Sequence, residues 1–224
     1  NACDPGSTNA PDNATIAALY MDACGGAITV TQSTVPGSNS NCAWSYVTTY
    51  TIKDACGNTV SPSPTYTYSG GDTQDPTISC PSTQTQYLGA TCNATLADYT
   101  GMATGVSDNC GSVTVTQSPA IGASYTGEQS VTVTLKGTDD CGNMETCTFT
   151  VLLEDNPPPS LTCPASPIVV NPNSGSCTYT VVGNEYNPTG VSDNCGVSNI
   201  TYTMISGSVT PTSGTTLAGA VFGQ

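Results

Sequence analysis

A long internal repeat constrains this chain more than any other feature of its sequence. The octapeptide TGVSDNCG at 104–111 recurs unchanged at 189–196, and the pentapeptide TVTQS at 29–33 recurs at 114–118. Both pairs have the same offset along the chain, and the CGN tripeptide at 56–58 recurs with that offset at 141–143. Independent matches at one period indicate a tandem array in which each repeat is one structural unit.

The repeat predicts three units, at 1–74, 75–155 and 156–224. The first unit begins late, and the third ends before any counterpart of the Asp140–Asn143 turn or of the segment around Cys147. We therefore expect that the chain continues beyond the printed residues, or that a neighbouring molecule completes the last unit. Prolines at both predicted joints stiffen the linkers and favour an extended string of units.

Apolar and polar side chains alternate within each unit, which is the pattern of β-strands. Val131–Leu135 alternates in this way, and a second run places four large apolar residues at even positions, on one face of a strand. These four residues are Trp44, Tyr46, Tyr50 and Ile52. No segment shows a helical period. Short strands with regular turn signals predict an all-β fold of tandem Ig-like β-sandwich units, each of about 85 residues and stapled by disulfides.

The charge composition excludes several classes of function. The chain has a formal net charge of −14, with two lysines, no arginine and no histidine. Two cations cannot neutralise the phosphates on which nucleic-acid affinity depends, so we expect no nucleic-acid partner. Without histidine there is no Ser-His-Asp or Cys-His catalysis and no histidine-ligated metal. No apolar run is long enough to span a bilayer, so we expect no membrane insertion.

Four motifs of the second unit resemble the hyalin-repeat (HYR) module. They are DPTISCP at 75–81, SDNCG at 107–111, DDCGN at 139–143 and CTFTV at 147–151. The resemblance is close across the second unit, good across the first part of the third and looser in the first. It is best to the tandem versions in bacterial cell-surface and secreted proteins. It implies an Ig-like sandwich and an extracellular role in adhesion or surface structure, with no catalytic activity. We expect no cofactor, unless calcium is bound.

Twelve cysteines in a β-rich chain without histidine predict disulfides. Disulfides persist in oxidising compartments, so we expect an extracellular or cell-surface location. A cysteine-only zinc site would need paired Cys-x2-Cys motifs, which this sequence lacks. The HYR resemblance implies one bond, between Cys80 and Cys147, because family members with only two cysteines keep these two positions.

Cysteine spacing predicts four further pairs. A spacing of 18 residues separates the members of two pairs, and a similar spacing of 21 residues separates those of a third. The fourth pair follows by elimination. The predicted pairs are Cys92–Cys110, Cys177–Cys195, Cys3–Cys24 and Cys42–Cys56. This scheme leaves Cys141 without a partner, and it predicts that the partner of Cys163 lies outside the printed residues. A competing scheme joins the two Asp-x-Cys-Gly turns of one unit, as Cys24–Cys56 and Cys110–Cys141.

Three Asn-x-Thr sequons, at Asn13, Asn93 and Asn199, are candidate glycosylation sites. In a chain this rich in serine and threonine, a few sequons also arise by chance. Asn13 and Asn93 both follow shortly after an equivalent cysteine, which favours a shared surface position.

Several aspartates near unit ends or turns are candidate calcium ligands, because calcium prefers oxygen donors from several carboxylates. The alternative is turn chemistry, since aspartate at the first and glycine at the fourth position favour a type I turn. The sequence has no Asp-x-Asp-x-Asp-Gly loop, so turn chemistry is favoured and calcium is the second interpretation. The candidate ligands are Asp72, Asp75, Asp108, Asp139 and Asp140.

The leading functional hypothesis is a non-enzymatic structural component of an extracellular fibre or surface appendage built from tandem repeats. Its expected partners are copies of itself or neighbouring repeats along the fibre. One alternative is an adhesin or carbohydrate-binding stalk that recognises surface glycans, although Trp44 and Tyr46 fit a core strand better than a sugar-binding face. Another is a set of accessory repeats on a secreted hydrolase.

Overall fold

The computed structural model describes residues 2–166, 168–172, 174–203, 209–210 and 213–223. Within these ranges the chain consists of β-strands with one short α-helix, α1 (Asn13–Ala17), and one 3-10 turn (Thr100–Met102). The structure therefore confirms the predicted all-β class. The strands are β1 (Thr29–Ser40), β2 (Ala43–Lys53), β3 (Thr65–Gly70), β4 (Thr77–Ser79), β5 (Gln84–Tyr87), β6 (Asn93–Thr95), β7 (Thr104–Ser107), β8 (Val113–Ser118), β9 (Ser124–Thr126), β10 (Gln129–Asp139), β11 (Met144–Glu154), β12 (Ser160–Thr162), β13 (Thr178–Thr180), β14 (Thr189–Ser192), β15 (Tyr202–Thr203), β16 (Val209–Thr210), β17 (Ser213–Gly214) and β18 (Val221–Gly223).

The first sheet has the order β1-β2-β3, and both of its strand pairs are antiparallel. Alternate residues of β2 are buried on one face, as the sequence predicts. The four large residues of this face are Trp44, Tyr46, Tyr50 and Ile52. Thr48 lies on the same face and is fully buried. Because successive side chains of a strand point to opposite faces, the less buried side carries Ser45, Val47, Thr49 and Thr51.

The helix α1 covers one end of this sheet. Its Ile16 and Ala17 pack against the buried cluster of Val30, Tyr50 and Ile52. This helix is not predictable from the sequence, because so short a segment cannot show a helical period. Its start is defined by Asp12, whose side chain accepts a hydrogen bond from the first turn of the helix.

A second sheet has the order β5-β11-β10-β8. Strand β8 pairs antiparallel with β10, whereas β5 pairs in parallel with the end of β11. Two short antiparallel pairs, β4-β7 and β6-β9, accompany it. Val131, Val133 and Leu135 of β10 are buried, so the predicted alternation is present here as well.

The chain contacts divide into two compact units. Unit 1 comprises Asn1–Ser82, Ala97–Ile121 and Thr132–Thr150, and unit 2 comprises Thr83–Leu96, Gly122–Val131 and Val151–Gln224. Within unit 1, the rings of Tyr99 and Phe149 meet edge to face with their centroids 5.3 Å apart. Within unit 2, the N–H of Leu88 extends the β5-β11 pairing by donating to the carbonyl of Glu154. The predicted repeat boundaries at 1–74, 75–155 and 156–224 stay a prediction.

The described part of the third repeat forms small sheets: β12-β14, β13-β18-β16 and β15-β17. Its buried cluster consists of Val181 and Ala220. An apolar cavity of about 570 Å³ lies beside this cluster, lined by residues that include Leu161, Tyr179 and Phe222. The expectation that a further segment or a neighbouring molecule completes this repeat stays a prediction.

Within the residues that the structure describes, no helix combines the length and the apolar character needed to cross a bilayer.

Candidate functional site

An aspartate organises the same tight turn in each of the three repeats. Its carboxylate accepts a hydrogen bond, of 2.8 to 3.0 Å, from the backbone N–H of the cysteine two residues later. The short aspartate side chain places its carboxylate where a backbone carbonyl would otherwise accept this hydrogen bond, which stabilises a turn. The turn role expected of these aspartates is therefore present in the structure. The pairs are Asp22 with Cys24, Asp108 with Cys110 and Asp193 with Cys195.

A second type of turn pairs an aspartate with the asparagine four residues later. In the turn after β10, Asn143 donates to Asp139 from its backbone N–H (2.9 Å) and from its side-chain Nδ2 (2.8 Å). The turn after β2 repeats this arrangement, with Asn58 donating to Asp54 at 2.8 and 2.7 Å. The glycine before each asparagine has a φ of 90°, which favours a residue without a Cβ.

These hydrogen bonds hold both aspartates in the ionised form. The pKa of Asp54 lies below its ordinary value chiefly because Asn58 donates to it. Burial acts to raise the pKa of Asp139, but the hydrogen bonds from Asn143, Cys141 and Gly142 outweigh burial and lower that pKa. At neutral pH Asp139 is consequently a carboxylate, the form that binds a metal ion.

Three of the five candidate calcium ligands lie together in unit 1. Asp72 precedes β4, Asp108 follows β7, and Asp139 is the last residue of β10. One carboxylate oxygen of each lies within 4.8 Å of the other two. Asp72 and Asp139 are buried, with 5% and 7% of their surface exposed, and Asp108 is half-buried. We call these three residues the aspartate triad.

Two oxygens of the aspartate triad lack a hydrogen-bond donor. Oδ1 of Asp72 accepts from the N–H of Gln74 (3.1 Å) and from Nδ2 of Asn109 (3.4 Å). In contrast, Oδ2 of Asp72 and Oδ2 of Asp108 are buried and have no hydrogen-bond partner among the described residues. Buried polar atoms are nearly always paired, so each of these oxygens needs a ligand or a solvent molecule.

The other two candidate calcium ligands lie outside the triad. Asp140 accepts hydrogen bonds from the N–H and the hydroxyl of Ser112, at 3.0 to 3.2 Å, and so fixes the turn before β8. Asp75 is exposed and accepts a long bond, 3.4 Å, from the N–H of Met144. Their positions are those of turn and linker residues.

The bond that the HYR resemblance implies is present in the structure. Cys80 follows β4 and is bonded to Cys147 of β11, with their Cα atoms 5.6 Å apart. Both cysteines belong to unit 1 and to the second predicted repeat. This bond therefore links two segments of a single predicted repeat.

The pairs predicted from cysteine spacing are not the bonds of the structure. Each of the three remaining bonds instead joins cysteines of two successive predicted repeats. They are Cys3–Cys110, Cys42–Cys141 and Cys92–Cys195. The competing scheme is also absent from the structure, because Cys110 and Cys141 each bond a cysteine of the first repeat. Four cysteines are unbonded and exposed: Cys24, Cys56, Cys163 and Cys177.

The physical reason is that a disulfide requires Cα atoms about 4.4 to 6.8 Å apart in space, whatever their separation along the chain. The structure brings Cys3 to 5.1 Å from Cys110, because the N-terminal segment lies against the turn of the following repeat within unit 1. The repeat itself held a signal for this pattern. Cys3 is equivalent to Cys92, and Cys110 is equivalent to Cys195, so one kind of bond occurs twice.

Asn41, which was not predicted from the sequence, connects the segments around the triad. Its Nδ2 donates to the carbonyl of Cys110 at 2.8 Å, and its Oδ1 accepts from the N–H of Asp4 at 3.1 Å. Its own carbonyl accepts from the N–H of Asp72 at 2.9 Å. A single asparagine has no distinctive sequence pattern, so only the structure identifies its role. We call the region formed by Asn41, the aspartate triad and the Cys3–Cys110 and Cys42–Cys141 bonds the first joint.

All three sequon asparagines are exposed. Asn13 is the first residue of α1, and Asn93 is the first residue of β6. The side chain of Asn93 bonds to the hydroxyls of Thr91 and Thr126, at 3.2 and 3.0 Å. Exposure is compatible with an attached sugar, and glycosylation stays a prediction.

Comparison with known proteins identifies the middle of the chain. Residues 71–153 match the HYR domain. No curated protein matches the chain. Among solved structures, the human desmocollin-1 ectodomain matches with 10% sequence identity and a TM-score of 0.26, over 80% of this chain and 38% of that one. An overlap this weak carries no structural argument. Residues 71–153, which contain the Cys80–Cys147 bond, are therefore the part of the chain that is similar to the HYR domain.

Proposed function

We propose that this chain is a non-enzymatic structural component of an extracellular filament or surface appendage built from tandem Ig-like repeats. The observation that carries the proposal is that disulfides connect successive repeats. Cys3–Cys110 links the first predicted repeat to the second, and Cys92–Cys195 links the second to the third. A binding module needs no covalent bond between repeats, whereas a fibre under load gains from one.

The two bonds overlap along the sequence, and this overlap shortens the path that carries tension. Between Cys3 and Cys195 the backbone has 192 residue steps. With both bonds in place, tension passes from Cys3 to Cys110, back along the chain to Cys92, and then to Cys195. Only 18 residue steps lie on that path. The bonds therefore protect most of the chain from extension, which suits a fibre.

Electron microscopy of the native material tests the filament. We expect regular filaments with a fixed axial repeat, because covalent bonds between repeats limit bending and extension. Flexible, monomeric strings would contradict the filament and would favour an adhesin stalk. Accessory repeats of a secreted hydrolase would instead accompany a catalytic domain in the same molecules. The faces of Trp44 and Tyr46 are buried, so this pair does not support a glycan-binding surface.

The unbonded cysteines suggest how copies of the chain join. Cys24 lies in a turn of the same kind as those of Cys110 and Cys195, in which an aspartate carboxylate accepts from the cysteine N–H (an Asx turn). The N–H of Cys24 donates to Asp22 at 3.0 Å. Cys177 occupies the position in the third repeat that Cys92 occupies in the second. Both are exposed and unbonded, although their counterparts Cys110 and Cys92 are bonded. By this equivalence, Cys177 of one copy bonds Cys24 of the next.

The bond forms when the two thiols lose two protons and two electrons. A thiol–disulfide oxidoreductase accepts the electrons in the exporting compartment, and oxidised glutathione accepts them in the test tube. In a C56S/C163S background, which removes the two other free thiols, oxidised glutathione should convert the chain into a ladder of covalent multimers. Non-reducing electrophoresis measures the ladder.

Two matched variants decide which cysteines react. In the same background, C24S alone and C177S alone should stay monomeric, whereas an equal mixture of the two should give dimers that stop at two copies. Dimers of either single variant alone would mean that like cysteines pair, and would contradict the head-to-tail bond. A monomeric mixture would contradict it as well.

A further inference from the structure

We propose that the aspartate triad of Asp72, Asp108 and Asp139 binds a calcium ion at the first joint. The triad brings one oxygen from each carboxylate within 4.8 Å of the other two. Two of the three side chains are more than nine-tenths buried. The inference does not depend on the filament, because binding of the ion is a property of unit 1.

The local charge requires a cation. Carboxylates that share a buried space repel one another, and burial removes the water that would otherwise screen them. The chain has two cationic side chains, Lys53 and Lys136. Lys136 is exposed and lies on the opposite face of β10 from Asp139, since their positions differ by three in a strand. Lys53 is the last residue of β2, at the opposite end of that strand from Cys42 and the first joint. Neither lysine therefore lies beside the triad, and a divalent ion would neutralise its negative charge.

Hydrogen bonds already fix the orientation of the three side chains. Donors from the protein occupy Oδ1 of Asp72, Oδ1 of Asp108 and the carboxylate of Asp139. Oδ2 of Asp72 and Oδ2 of Asp108 have no donor in the described part of the chain, although both are buried. A site with preset side chains and free oxygens loses little side-chain entropy when an ion binds.

The donor set selects calcium among common metal ions. The triad offers oxygen and no nitrogen or sulfur, which suits a hard cation. Calcium accepts six to eight oxygens in irregular geometry, so waters and backbone carbonyls can complete its shell, whereas magnesium demands a near-ideal octahedron. Extracellular modules bind calcium with dissociation constants of about 10⁻⁴ to 10⁻³ M, and we expect this range here.

The position of the triad gives the ion a structural effect. Asp72 lies in the linker at the end of the first predicted repeat. Asp108 and Asp139 each lie two residues before a cysteine that is bonded to the first repeat, Cys110 or Cys141. Calcium would therefore hold the linker against both bonded turns and stiffen the first joint.

Part of the arrangement recurs in the next repeat. Asp155 lies at the end of the second predicted repeat, as Asp72 lies near the end of the first, and Asp193 is the counterpart of Asp108 in the repeated octapeptide. Oδ1 of Asp155 is again buried without a partner among the described residues. A buried aspartate oxygen without a donor is therefore found at the end of both the first and the second predicted repeat, which indicates a recurring feature of the repeat.

Terbium luminescence tests the site directly, because Tb³⁺ replaces Ca²⁺ and emits when a nearby tryptophan transfers energy to it. Trp44 is the one tryptophan of the chain, and its ring packs against Gly70, two residues before Asp72. We expect tryptophan-sensitised emission from the wild-type chain with TbCl₃, and we expect millimolar CaCl₂ to displace the terbium. MgCl₂ should displace it at least tenfold less effectively.

Two variants separate a ligand from a merely structural residue. D72N should lower terbium and calcium affinity at least tenfold, yet it should melt no earlier than the wild type in EDTA, because it removes like-charge repulsion. D108N should behave in the same way. D75N, in the same linker but outside the triad, should leave both affinities unchanged. The proposal fails if the wild type shows no calcium-displaceable emission, if D72N and D108N bind as tightly as the wild type, or if D75N loses binding.

Discussion

At the scale of the residue, aspartate does most of the organising in this chain. Asp22, Asp108 and Asp193 each form an Asx turn that fixes the cysteine two residues later. The sequence was sufficient to predict this turn chemistry, because the aspartate and glycine positions are local features. It was also sufficient to nominate the triad within a group of five acids. It was insufficient to predict which three meet, because that depends on packing between distant segments.

The aspartate–asparagine turns predict a pH dependence of stability. The pKa values of Asp54 and Asp139 are lowered in the folded chain relative to the ordinary value of 3.8. Groups of this kind stabilise the fold above the unfolded pKa, and their contribution disappears as the pH falls through the lowered folded pKa. We therefore expect these groups to contribute fully to the free energy of unfolding near neutral pH, where that contribution does not vary with pH, and we expect the free energy to fall below about pH 4.

Urea unfolding of the wild type and of N58A measures this effect. N58A removes the side-chain donor to Asp54, so its stability should depend less steeply on pH in the acid range. The exposed Asn39 provides a matched control, because N39A leaves both turns intact. An acid dependence of N58A as steep as that of the wild type would contradict the assignment.

At the scale of the element, the alternation of side chains predicted the strands that form the cores. The even positions of β2 and the apolar positions of β10 are buried as expected, because the period of two follows directly from strand geometry. The long polar part of β1 was not predicted. Its residues are largely exposed, so no alternation of apolar and polar side chains marks it in the sequence. The pairing of β1 with β2 defines it in the structure.

Strand β10 provides a direct test of this core. Leu135 is fully buried, and Thr132 of the same strand is exposed. We expect L135A to lower the free energy of unfolding by about 2 to 5 kcal/mol, through lost burial and the cavity that remains. T132A should change it by roughly 0.5 kcal/mol or less. Denaturant unfolding compares the two variants, and equal effects would contradict the assigned face of the strand.

At the scale of the whole molecule, the repeat predicts a tandem architecture, which stays a prediction, but it did not predict the covalent connections of the structure. Spacing within one repeat suggested local pairs such as Cys92–Cys110. The structure instead joins cysteines at different positions of successive repeats, and its Cys3–Cys110 and Cys92–Cys195 bonds are equivalent to each other. Spacing along the chain cannot reveal this pattern, because the bonded turns are brought together by packing across the predicted repeat boundary. Once the Cys3–Cys110 bond is known, however, the repeat predicts the Cys92–Cys195 bond, because it relates the two pairs of positions.

The central claim is that bonds between successive repeats carry tension, and single-molecule force spectroscopy tests it most directly. When the chain is pulled from its two ends, reduction should release 174 residue steps between Cys3 and Cys195 that the two bonds bypass. At roughly 3.4 Å per residue, the reduced chain should extend about 600 Å further than the oxidised chain. The pairs predicted from spacing, together with Cys80–Cys147, bypass 120 steps and would give about 400 Å. A gain near 600 Å supports load-bearing bonds between repeats, and a gain of about 400 Å or less contradicts them.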